Sequence, residues 1–170
     1  YPRYYANGLR TPVWRDGVIN QLQSTRVNKS HTKSPRVARM ILLSIPLLRV
    51  SSASIAQSFY CRQLGFHLEF AHRLDPAKDD PCYMGLSRDG IWLHLSSSSE
   101  DGMSGGVANF IVDDVDELHA EFTARGTLID TPPTDQIWCS REMYIRDADG
   151  NCLRFIQPKS LQAEAEIPAA

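Results

Sequence analysis

The chain has 170 residues, 42% of them hydrophobic and 22% charged, with a formal net charge of −2. That length holds one domain with a real core and is too short for two ordinary ones. Its longest apolar run, MILLSIPLL at residues 40–48, is too short to cross a bilayer, and no membrane association is expected.

The charge is divided unevenly. Residues 1–39 carry eight Lys/Arg against a single acid, Asp16, which leaves ten basic and nineteen acidic groups over residues 40–170, a net of −9. An acidic domain repels nucleic acid and suits cationic small molecules. Residues 1–39 lack periodicity and are rich in Arg, Ser, Thr and Asn. The chain starts at Tyr1, and Met40 falls just before the first clear strand, so 1–39 are expected to be a basic leader, disordered or not native. Residues 159–170 read as a tail. Cys61, Cys82, Cys139 and Cys152 form no CxxC pair and read as reduced thiols of a cytoplasmic protein.

In chain order, SIPLLRV (44–50) predicts a strand. Ser54 with Gln57 reads as a capping box, and Ile55, Ala56, Phe59, Tyr60 and Leu64 give a helical stripe that stops at Gly65. Strands are predicted at 67–73, 82–88 and 91–96, the last two joined at Asp89-Gly90. GVANFIV (106–112) opens a second round. Asp114 with Glu117 gives a capping box, Val115, Leu118 and Phe122 a stripe ending at Gly126, and strands follow at 127–130, 141–146 and 151–157. SRDGIWLHL and DADGNCLRF share the pattern DGxxL, 40 residues after Val50 and 38 after Val112 respectively.

The chain therefore says one thing twice. An α+β fold of paired βαβββ modules is predicted, forming a curved mixed sheet around a cavity. The first module covers 40–96, the linker 97–105 and the second module 106–158. Alternation turns Ile45, Leu47, Arg49, Trp92, His94 and Ser96 of the first module inward, with Val107, Asn109, Ile111, Cys152, Arg154 and Ile156 of the second. GMSGG (102–106) precedes a strand, so it reads as a linker and not as a dinucleotide loop.

The arrangement is similar to the vicinal-oxygen-chelate superfamily of glyoxalases, extradiol dioxygenases and bleomycin-resistance proteins. Its metal enzymes place His or Glu at positions that correspond here to Ile45, His94, Val107 and Arg154. Three of those four cannot bind a divalent metal, so no metal and no cofactor are expected. Within the superfamily, IWCSREM (137–143), DADGNCLRF (147–155), VDDVDELHAEF (112–122) and SFYCRQLGF (58–66) resemble the bleomycin-resistance family.

That resemblance implies a non-catalytic homodimer that sequesters a cationic, aromatic glycopeptide. It implies Trp138 and Phe70 as stacking groups, Ser96, Asn109, His94 and Arg141 as further ligand contacts, and Pro46 as a residue anchoring the dimer. The alternative is a metal-dependent lyase, isomerase or dioxygenase built on His94 with His67 or His72.

Overall fold

The computed structural model describes Ile41 and residues 43–159. The expectations for the leader, and for the tail beyond Lys159, lie outside the described residues. In chain order the elements are β1 (Leu47–Arg49), α1 (Ala53–Gln57), β2 (His67–Arg73), β3 (Cys82–Arg88), β4 (Ile91–Ser96), β5 (Val107–Ile111), α2 (Val115–Ala124), β6 (Thr131–Gln136), β7 (Ser140–Arg146) and β8 (Cys152–Pro158). The duplication is expressed as two four-stranded sheets of the same topology, β1-β4-β3-β2 and β5-β8-β7-β6. In each, the first strand runs parallel to the last, and the remaining pairs are antiparallel.

Three local expectations are corrected. Strand β1 is shorter than 44–50, because its pairing with β4 begins only at Leu47. The first helix starts at Ala53 with Ser52 as its N-cap and no side-chain cap. The Asp80 carboxylate meets the Ala53 N–H at 2.9 Å instead, while Ser54 only faces the Ser52 hydroxyl. The second strand of the second module is Thr131–Gln136, where the sequence predicts 127–130. Pro132 and Pro133 disguise it, and they fall in the register shift between Thr131 and Thr134, where no ladder pair needs their missing N–H.

Helix α1 widens into a π-helical stretch, Ser58–Gln63, with the Leu64 N–H reaching the Phe59 carbonyl at 3.1 Å. Helix α2 keeps its expected start. The Asp114 carboxylate accepts from the Asp116 and Glu117 N–H groups, both at 2.9 Å, and the buried Gln157 amide oxygen takes the Val115 N–H.

Strand alternation divides each sheet into a helix-bearing face and an opposite face. Met84, Leu86, Leu93 and Leu95 of the first sheet are fully buried, as are Met143, Ile145 and Leu153 of the second. The two modules share this core. Phe66 meets Phe110 at 6.1 Å between centroids, and the Arg88 guanidinium crosses to Glu121 at 2.7 Å while lying over the Phe122 ring. Tyr60 donates its hydroxyl to Asp147 at 2.9 Å, and burial together with that carboxylate pushes its phenol well above the usual range.

Asn151 is the densest junction. Its side-chain oxygen accepts from the Gly105 and Gly106 N–H groups, and its amide nitrogen donates to the Arg49 carbonyl and to Asp147. The side chain is fully buried and ties the linker, β1 and the last turn to one point.

Candidate functional site

The face opposite α1 carries a cluster of rings. Phe70 stands on β2, Tyr83 on β3, and Trp92 and His94 on β4. Period-two alternation puts Tyr83 on the side away from Met84, and Trp92 and His94 on the side away from Leu93 and Leu95. His94 is the hub. Its ring meets Phe70 edge-on at 5.6 Å, Tyr83 at 5.4 Å and Trp92 at 6.2 Å, and its Nδ1 is 2.9 Å from the Tyr83 hydroxyl. Burial holds the imidazole below its ordinary value, so it is kept neutral. Phe70 and Tyr83 are nearly parallel, with 9° between the planes. All four rings are half-buried, so each keeps surface available to a ligand.

On the second sheet the matching face carries Glu142 and Tyr144 of β7 and Arg154 of β8. Trp138 sits at the tip of the β6–β7 hairpin, 61% exposed, and the turn closes with Cys139 at φ 62°. The indole does not hang free. Its Nε1–H donates to Glu142 Oε1 at 2.7 Å, Ser140 Oγ donates to the same oxygen at 2.5 Å, and the Tyr144 hydroxyl donates to Oε2 at 2.6 Å. Burial raises the Glu142 carboxyl, but these three donors and the nearby Arg154 outweigh it and hold it below the usual range. Arg154 in turn lies over the Tyr144 ring at 5.2 Å.

The predicted residues divide accordingly. Phe70 and His94 come together, and Trp138 stands exposed at the head of the other sheet. Asn109 lies exposed on β5 beside Arg154 in register. Pro46, just before β1, accepts the His94 N–H through its carbonyl at 2.9 Å. Two residues expected at the ligand are engaged within the protein. Ser96 is fully buried, its hydroxyl committed to Asp101 at 2.6 Å. Arg141 takes the parity of Met143 and Ile145, on the helix-bearing side, where it binds both oxygens of Asp116 and one of Asp135.

Leu47, not Ile45, lies beside His94, and Asn109, not Val107, beside Arg154. Among the described residues, no three His, Cys, Asp or Glu side chains are grouped to hold an ion. Tyr83, Glu142 and Tyr144 escaped the sequence reading. Alternation through 82–88 and 140–146 was the available signal.

A concave feature of about 840 Å3 lies apart from these rings. Phe66, Phe110, Phe122 and Phe155 line it, with Asp113, Asp114 and Glu117 among its acids, and none of the four clustered rings reaches it.

Comparison with known proteins agrees with this fold. A family model described as glyoxalase superfamily protein matches residues 36–162. A bleomycin resistance protein of Geobacillus stearothermophilus is 29% identical over 136 residues, covering 69% of this chain and 97% of that protein. Among solved structures, a member of the glyoxalase/bleomycin resistance protein/dioxygenase superfamily from Sphaerobacter thermophilus superposes with a TM-score of 0.57 at 26% identity, covering 70% of this chain and 99% of that one. A bleomycin-binding protein from bleomycin-producing Streptomyces verticillus, complexed with copper(II)-bleomycin, gives a TM-score of 0.55 at 28% identity, covering 69% and 97%.

Proposed function

The chain belongs to the glyoxalase superfamily, and we propose that within it this protein binds and sequesters bleomycin-like antibiotics, or similar flat cationic compounds, without transforming them. The observation that carries the reading is the exposed indole of Trp138, held in one orientation by the buried Glu142 carboxylate. A stacking surface fixed before the ligand arrives avoids the entropy cost of ordering it on binding. The rings around His94 supply a second flat-ligand surface on the other sheet. Relatives named for bleomycin resistance and bleomycin binding support the choice of ligand.

In this reading Trp138 and Phe70 stack on the planar part of the drug, each contact worth about 0.5–2 kcal/mol. His94 borders the Phe70 side and Asn109 offers a polar contact. The net −9 of residues 40–170 draws a cation in. The protein acts as a homodimer in the cytoplasm. Among the described residues, strands β1 and β5 each stand at an edge of their sheet, where a second copy could pair. Pro46 lies where such an edge begins, and the four free cysteines suit a reducing compartment.

The test is a tryptophan-fluorescence titration of chelator-treated protein with metal-free bleomycin. Saturable quenching at about one drug molecule per chain is expected. No response up to about millimolar drug would remove bleomycin as the ligand.

A further inference from the structure

We propose that Gly85 is a positioning residue for ligand binding: it provides the seat on which Phe70 lies and so sets where that ring stands beside Tyr83 and His94. The ligand arm of this inference rests on the proposed sequestering function, while its structural arm stands without a ligand.

Gly85 is a mid-strand glycine with no turn to explain it. Gly65, Gly90, Gly126 and Gly150 all adopt positive φ at helix ends or turns, whereas Gly85 keeps an ordinary strand backbone in the middle of β3. Glycine there sacrifices strand stability, and close approach of another group is the usual compensation. That group is Phe70, the cross-strand partner of Gly85 immediately after the register shift between Leu68 and Phe70. A Cβ at position 85 would lie 2.2 Å from Phe70 Cε1, 2.5 Å from Cζ and 2.8 Å from Cδ1. Carbons in contact prefer about 3.5–4.0 Å, so even alanine requires the ring to move by roughly 1 Å or more.

The consequence reaches the whole surface. Seated on Gly85, the Phe70 ring runs nearly parallel to Tyr83, with centroids 6.4 Å apart, and His94 stands at 77° to it. The parallel Phe70 and Tyr83 rings, with His94 set across them, form one aromatic surface on which a flat conjugated group can lie against Phe70. Once displaced, Phe70 loses its parallel arrangement with Tyr83 and its edge contact with His94, and the surface a planar ligand meets is broken. Gly85 therefore acts on the ligand through the position of Phe70, without touching it.

The experiment is a double-mutant cycle of Gly85→Ala and Phe70→Ala, read by metal-free bleomycin titration and by thermal melting. Each single variant is expected to weaken binding about five- to tenfold, and the double variant to bind like Phe70→Ala alone. In melting, Gly85→Ala is expected to be destabilising in the native background and nearly neutral once Phe70 is truncated, because the space is then vacant. Full additivity in melting would overturn the seat, as would Gly85→Ala binding the drug like the native protein. Should Gly85→Ala alone fail to fold, the double variant must recover the melting temperature of Phe70→Ala, and failure of that rescue would equally overturn it. Absence of drug binding by the native protein would instead count against the sequestering function, leaving the melting cycle to decide on Gly85.

Discussion

The indole N–H of Trp138 and the carboxylate of Glu142, four residues apart across the start of β7, are joined at 2.7 Å, so the most exposed aromatic of the candidate site is fixed by a buried acid. Trp138→Ala is expected to weaken bleomycin binding about tenfold and leave the fold intact. Glu142→Gln keeps the size of the side chain but places a donor against Trp138, Ser140 or Tyr144. It is expected to cost about 1–3 kcal/mol of stability and to weaken binding less than Trp138→Ala does. Urea unfolding and drug titration check both. Unchanged affinity for Trp138→Ala would end the stacking role.

Asn151 makes a different kind of prediction. Asn151→Ala strips the Gly105 and Gly106 N–H groups and the Arg49 carbonyl of their side-chain partner inside the protein. A loss of about 2–4 kcal/mol is expected in denaturant unfolding, with no direct effect on the ring surface.

Stability should fall with acid in two stages. Burial sets the folded value of His94 below its ordinary 6.5, so its contribution is complete above that pH and is lost as the pH falls through the folded value. Glu142, held below its ordinary 4.5, follows the same sign at lower pH. His94→Gln is expected to abolish the upper stage in melting temperatures taken from about pH 8 down to about pH 5. An upper stage that persists in the variant would assign it to another group.

Chelator treatment is expected to change neither the melting temperature nor the drug titration. The register places Leu47 and Asn109 beside His94 and Arg154, which leaves the imidazole without a companion ligand there. A chelator-dependent loss of binding would reopen the metal-dependent alternative.

Much of this architecture was legible in the residues themselves. The DGxxL echo, the Asp114 cap and the alternation through 91–96 each carry a local signal strong enough to survive tertiary context. What stayed hidden depended on partners distant in sequence. Asp80 serves as a helix cap from 27 positions away, and nothing near Ser54 announces it. Arg141 already alternates with Met143 and Ile145 in the predicted strand, but its partner Asp116 stands 25 positions away. The second-module strand containing Pro132 and Pro133 violates strand propensity and is tolerated only at its register shift. Phe70 could be named from the sequence, but not that Gly85 makes room for it.

The reach of Asn151 bears on how the chain acquires its structure. Its amide meets the Arg49 carbonyl across 102 positions, so the final turn of the second module is completed by a strand made at the start of the first. Neither half can finish alone. Contacts of such long range must wait for most of the polypeptide to be in place, which favours slow, late and concerted assembly over independent folding of the two copies. Two self-similar units are thereby bound into a single kinetic object.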